Sequence, residues 1–311
     1  MFDKEKAIRK RRSVRTYDKK KIDLKIREEI MEYACALQNP LGPKVTFKLL
    51  DKVSDPKGDK LGTYGVIKGD ELYVGSKIKR EEYALEALGY DFEQLVLYLT
   101  DKGLGTCWLG GTFNKGAFAE AMDVQEDEIF TIVSPIGYEA EKMSLIEKMM
   151  RKGSKGDMRL PWDQLFYDGE FGKPIVEGND DASLSAEAVI GDYAHVLEMV
   201  RLAPSAVNRQ PWRIVVQDGT GKGNTGGSTD GNVDGGKVFH FYQTGIKPDD
   251  KESSDMHRID MGIAICHFHL AALEKGLAGR FERCEPGVAD GTLAIDGVPD
   301  NAEYIISWIA E

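Results

Sequence analysis

A chain of 311 residues is long for one hydrophobic core and comfortable for two units of roughly 150 residues each. Hydrophobic residues at 41% and charged residues at 30% make a globular mixture, and no stretch approaches the roughly 18 unbroken apolar residues of a membrane span. The formal net charge of −11 argues against a nucleic-acid partner, since phosphate binding calls for positive surface. Cys35, Cys107, Cys266 and Cys284 form no CxxC pair and share no zinc-like spacing with histidine, so free buried thiols are expected. The basic start has no apolar run or small-residue cleavage site behind it, which places the protein in the cytoplasm.

In chain order, Arg11-Arg12-Ser13-Val14-Arg15-Thr16-Tyr17 comes first, just before a helical segment. Guanidinium groups and a hydroxyl there offer charge-assisted donors to a phosphate or another anion; a solvated basic helix end is the alternative. MEYACALQNPLGPKVTFKLL reads as helix, loop and strand, and ELYVGSKIK as a strand leaving a turn. From Gly89 to Leu104, the apolar residues Phe92, Leu95, Val96 and Leu99 recur at helical spacing and Gly103 closes the run, which predicts a buried helix. Its exit, Gly103 to Gly111, carries glycines that would let backbone N–H groups approach a ligand. It is no dinucleotide fingerprint, because it follows a helix rather than a strand. Lys152 to Ser183 reads as a crossover linker.

The second half repeats the first. LEMVRLAPSAVNRQPWRIVV aligns without a gap to the first helix–loop–strand run, with Leu202 on Leu37 (202 − 37 = 165). FHFYQTGIK matches ELYVGSKIK, with Ile246 and Lys247 on Ile78 and Lys79 (246 − 78 = 168). Gly262 to Leu277 repeats the buried helix: Gly89, Lys102, Gly103 and Leu104 become Gly262, Lys275, Gly276 and Leu277 (262 − 89 = 173). Helix, loop, strand, strand, helix therefore occurs twice, which predicts an α+β fold. Two units, 1–165 and 166–311, each with helices packed on a mixed or antiparallel sheet, would form an intramolecular pseudo-dimer. Asp218 to Gly236, rich in Gly with Ser and Asn and with almost nothing to bury, is expected to be a mobile loop.

In the second copy, Ala203-Pro204-Ser205-Ala206-Val207-Asn208-Arg209-Gln210-Pro211-Trp212 ends a helix and enters a strand. Its Ser, Asn and Gln can donate and accept hydrogen bonds at a planar ring edge, and the prolines stiffen the loop; a turn with a helix-capping Ser is the alternative. His267 and His269 read as packing or surface residues, and no Ser-His-Asp set or metal cluster competes.

Together, the RRSVR arm, the GLGTCWLGG exit and the APSAVNRQPW run resemble the nitroreductase family of FMN-dependent oxidoreductases, over nearly the whole chain and as two family units in tandem. Members of that family are typically homodimers with FMN at the subunit interface. The resemblance implies that Arg11, Arg12, Ser13 and Arg15 hold the phosphate, ribityl chain and pyrimidine edge of FMN. It implies that Pro204, Ser205, Ala206 and Asn208 come from across the interface, and that the backbone of Leu109 and Gly110 faces flavin N5 and O4. Arg159 sits where the family often places a further phosphate-binding arginine, after a Gly-Tyr turn that is here Gly137-Tyr138. The implied reaction passes electrons from NAD(P)H through flavin N5 to a small oxidised acceptor such as a nitro compound or quinone, with Arg15 steadying charge on the reduced ring. A flavin-binding or sensory protein without turnover, and a flavin-modifying or dehalogenating member of the fold, stand as alternatives.

The two copies have diverged in complementary ways. Ser205 and Asn208 correspond to Pro40 and Pro43 in the first half, and Arg12, Ser13 and Arg15 to Glu177, Gly178 and Asp180 in the second. Each half keeps what the other lost, so one FMN per chain is expected, in a monomer with no nucleic-acid or membrane partner.

Overall fold

The computed structural model describes residues 2–52, 61–177, 185–219, 236–245, 251–288 and 293–311. Gly178, Asp180, Ile246, Lys247 and most of the Gly-rich stretch lie outside the described residues. The first half runs α1 (Lys4–Lys10), α2 (Leu24–Ala36), β1 (Thr46–Asp51), β2 (Leu72–Lys79), α3 (Ala84–Asp101), β3 (Gly105–Thr106), α4 (Lys115–Ala121), β4 (Glu128–Ile129), β5 (Val133–Gly137) and α5 (Leu145–Ser154). The second runs β6 (Phe166–Asp168), α6 (Ala186–Ile190), α7 (Tyr193–Arg201), β7 (Trp212–Asp218), β8 (Lys237–Gln243), α8 (Lys251–Glu274), β9 (Gly279–Glu282) and β10 (Glu303–Ala310). The expected α+β series therefore occurs twice: α2, β1, β2, α3 and then α7, β7, β8, α8.

One sheet has the order β1-β2-β5-β3, with β4 also pairing β2, and is antiparallel throughout. The other has the order β6-β7-β8-β10-β9 and is mixed, because β6 runs parallel to β7. That parallel strand corrects the reading of 152–183 as a linker: Trp162, Leu165, Phe166 and Ile175 are buried and β6 extends the sheet. Three residues pairing with a strand more than forty positions later leave no local periodicity to read.

α3 is buried almost all round, as a helix with few polar faces must be. It starts at Ala84 rather than Gly89, and it stops where Gly103, at φ 78, lets Leu104 N–H reach the Leu99 carbonyl at 2.9 Å. α8 ends the same way, with Gly276 at φ 70 and Leu277 N–H on the Ala272 carbonyl at 2.9 Å. Both are glycine C-caps with the 6→1 bond that a left-handed residue permits.

The chain divides into two compact units. Unit 1 comprises Met1–Met158, Leu202–Arg209 and Arg258–Cys266; unit 2 comprises Arg159–Arg201, Gln210–His257 and His267–Glu311. The core of unit 1 gathers Val14, Tyr17, Tyr73, Cys107, Leu109, Phe113 and Phe118, so it forms directly beneath the arm and the exit of α3. In unit 2 the His267 ring is buried with Nδ1 2.8 Å from the Met199 carbonyl, and His269 lies against Phe281 and Trp308; both are packing residues. All four cysteines are free, but only Cys107 and Cys266 are buried. Cys35 is exposed because the core face of α2 is the stripe of Ile30 and Ala34.

Candidate functional site

Residues 13–17 run along the edge of the first sheet in isolated bridges, parallel at Ser13–Thr106 and Thr16–Lys68 and antiparallel at Tyr17–Glu139. Val14 N–H binds the Thr106 carbonyl at 2.8 Å, Lys68 N–H the Arg15 carbonyl at 2.9 Å, Tyr17 N–H the Lys68 carbonyl at 2.8 Å and Ala140 N–H the Thr16 carbonyl at 3.0 Å. Extended backbone sends successive side chains to opposite faces, and this sorts the arm. The Arg11 side chain is 7% exposed, against 50% for Arg12. Arg12 pairs with Glu139 at 2.5 Å and lines a cavity of about 120 Å³ with Lys10, Gly103 and Gly105. Ser13 and Arg15 turn the other way, toward Cys107: burial pushes that thiol up, while Arg15, a Ser13 hydrogen bond and Arg11 oppose the rise.

Burial also pushes the Arg11 guanidinium below its ordinary value, offset in part by Glu93 at 3.9 Å. The Nε atoms of Arg11 and Arg15 are buried without a hydrogen-bond partner. Arg151 of α5 adds a third guanidinium, its Nη1 donating to the Ser13 carbonyl at 3.4 Å and its Nη2 pairing with Asp157 at 2.7 Å. The anchor of α5 explains this placement. Thr16 Oγ1 donates to Glu147 at 2.7 Å, and Ser144 Oγ caps the helix by accepting Glu147 N–H at 3.2 Å, a capping arrangement that fixes the helix start against the arm. Arg159 falls in unit 2.

At the α3 exit, Leu109 forms an antiparallel bridge with Val133 in which each N–H binds the other's carbonyl, at 3.0 and 3.1 Å. The Leu109 amide is thus engaged, and Gly110 follows it. Beside Gly111 a Cβ would meet nothing within 4 Å. Trp108 Nε1 donates to Glu93 at 3.0 Å, and its ring lies 4.7 Å from that of Phe92.

Pro204, Ser205, Ala206 and Asn208 belong to unit 1 with the arm, although the sequence puts them in the second copy. Two side chains hold this loop. The buried Asp260 accepts Ala206 N–H at 2.9 Å, and burial raises its carboxyl well above the usual range. Asn208 Nδ2 donates to the carbonyls of Lys155 and Met158, both at 2.9 Å, so its amide hydrogens fix the loop to the end of α5. Between them Val207 stands at φ 49 and is 72% exposed, a left-handed conformation costing a β-branched residue about 1–2 kcal/mol. Glu93, Trp108, Arg151 and Asp260 were not foreseen from the sequence. Only Glu93 left a signal there, as a carboxylate inside an apolar helical run.

Among the described residues no group of His, Cys, Asp and Glu could hold a metal ion, and no helix is long and apolar enough to cross a membrane. A family model described as "Putative TM nitroreductase" matches residues 4–272. Among solved structures, one of a "putative nitroreductase" from Thermotoga maritima is 20% identical, covers 99% of this chain and 94% of its own, and has a TM-score of 0.55. A nitroreductase with bound FMN from Bacteroides fragilis is 21% identical over 47% of this chain and 92% of its own, with a TM-score of 0.37. A nitroreductase family protein from Clostridium difficile is 16% identical over 53% and 96%, with a TM-score of 0.40. No curated protein matches the chain.

Proposed function

The chain belongs to the nitroreductase family whose model spans residues 4–272, and from that premise we propose that it is an FMN-dependent oxidoreductase with one flavin site per chain. The observation that carries the reading is the arm, where two buried guanidinium Nε atoms, of Arg11 and Arg15, have no hydrogen-bond partner. Buried donors left unmatched are costly, and an anionic ligand rich in oxygen acceptors satisfies them. The residues therefore fit a flavin mononucleotide. Such a group, when bound, would take hydride from NAD(P)H and pass electrons to a small oxidised acceptor such as a nitro compound or quinone.

Arg11, Ser13 and Arg151 would hold the phosphate and ribityl end. Arg15 would lie at the pyrimidine edge, where a charge-assisted bond contributes about 1.5–3 kcal/mol toward negative charge on the reduced ring. Gly110 would orient the ring through its amide, the Leu109 amide being on Val133, and Gly111 leaves it room. Pro204, Ser205, Ala206 and Asn208 would form the facing wall, held in shape by Asp260 and by the end of α5. The corresponding first-half loop is closed on itself: Asn39 Nδ2 donates to the Pro43 carbonyl at 2.8 Å and to Asp91 at 2.9 Å. That supports a single site.

Heat-released flavin from purified protein should be FMN at one per chain. Anaerobic NADH or NADPH should bleach the bound flavin, and a nitro compound or quinone should restore its colour. A protein that takes up no added FMN would refute the reading, and a ratio near two would refute the single site.

A further inference from the structure

We propose that Glu93 is a positioning residue that couples the anion-binding arm to the ring-facing loop at the exit of α3. Its side chain is fully buried, in a helix whose neighbouring positions Phe92, Leu95, Val96 and Leu97 are apolar and buried. A carboxylate so placed is costly unless charge and hydrogen bonds compensate it. Its two oxygens are shared between two distant segments. Oε1 stands 3.9 Å from Arg11 Nε, and Oε2 accepts Trp108 Nε1 at 3.0 Å. Phe92, the preceding residue, packs its ring against the same indole with centroids 4.7 Å apart and a tilt of 47°, so α3 holds Trp108 by both its ring and its N–H. Leu109 and Gly110 follow immediately in the chain.

The carboxylate is a rigid fork. When an anion draws on the Arg11 guanidinium, the pull on Oε1 changes the hydrogen bond at Oε2, and the loop that begins at Trp108 senses it. An ion pair and a hydrogen bond that share one buried carboxylate couple in this way, whereas residues far apart without a shared partner act independently. The inference rests on the flavin reading for the identity of the natural ligand, but not for the existence of the link.

The test uses full-length, flavin-free protein and reads Trp108 emission as the difference from Trp108→Phe. Inorganic phosphate should shift that emission, and Arg11→Gln should shift its resting position even without phosphate. Glu93→Gln keeps an acceptor for the indole N–H but removes the charge facing Arg11. It should shift the resting emission as Arg11→Gln does and lose about threefold or more of the phosphate response, the size expected for groups in one network. If Glu93→Leu folds, it should move the resting position further, because it also removes the acceptor of the indole N–H that the Gln variant keeps. A folded Glu93→Gln that responds like the wild type would overturn the coupling. So would a Trp108 signal indifferent to Arg11→Gln. If phosphate and FMN both fail to bind the wild type, the flavin reading falls, and the Arg11→Gln baseline still decides whether the link exists.

Discussion

Gly89 of α3 and Gly262 of α8 meet back to back within unit 1. A Cβ on Gly262 would lie 1.9 Å from the Glu86 carbonyl oxygen, and one on Gly89 would lie 2.1 Å from that of Ile259. The contact is reciprocal in the numbering of the repeat, since 262 − 89 = 173 and 259 − 86 = 173. Each helix presents the same pair of positions to the other, which is the signature of an isologous, two-fold contact. The close approach is sealed by Arg258, which pairs with the buried Glu86 at 2.7 Å.

Gly89→Ala and Gly262→Ala should each cost about 1–3 kcal/mol of stability, because backbone carbonyls cannot yield as a flexible side chain does. The double variant should lose clearly less than the sum, since helices parted for one methyl already make room for the other. Urea denaturation of the four proteins would measure this, and strict additivity would mean that the two glycines do not share one crossing.

The alternation of the arm separates its arginines. Arg11→Gln and Arg15→Gln should each weaken FMN binding by about 1.5–3 kcal/mol, the worth of a charge-assisted bond. Arg12→Gln, half exposed and paired with Glu139, should change it by about 1 kcal/mol or less. Fluorescence quenching of FMN would rank the three, and a dominant Arg12 would put the anion on the opposite face of the arm.

Adjacent residues of the 204–208 loop should respond with opposite signs. Val207→Gly relieves a positive φ that glycine adopts freely, so stability should hold or rise by up to about 1 kcal/mol after the entropy of the more flexible unfolded chain is counted. Asn208→Leu removes both donors to the carbonyls of Lys155 and Met158; it should lose about 1–3 kcal/mol and loosen FMN with it. Thermal melts with and without FMN would show both, and a destabilised Val207→Gly would mean that the valine side chain packs something essential.

Burial pushes the Asp91 carboxyl up to about 6, so the folded state holds a proton there that the unfolded chain releases near pH 4. Stability from this residue is present at low pH and is lost as pH rises from about 4 through 6. His240, pushed down to about 4 by burial, acts oppositely, since its neutral burial becomes costly as pH falls below about 6.5. Asp91→Asn should therefore gain on the order of 1–2 kcal/mol over the wild type at pH 7, an advantage that vanishes by about pH 4. Denaturation midpoints across that window would measure it, and a pH-independent difference would rule out titration of Asp91.

The repeat, the two glycine C-caps and the arm were legible in the sequence because each is written in a short window. Helical spacing, a glycine that alone tolerates positive φ, and clustered guanidiniums act through near neighbours. The tertiary structure decided the rest. Hydrogen bonds from Val14 to Thr106 and from Lys68 to Arg15 set which face each arginine takes. Asp260 and the carbonyls of Lys155 and Met158 hold residues 204–208 within the unit that carries the arm. Trp108 takes its acceptor from Glu93 on the buried α3. These contacts join residues 15 to 92 positions apart, and each depends on a polar group needing whichever partner the packing brings within reach. A linear sequence states the need; the packing chooses the partner.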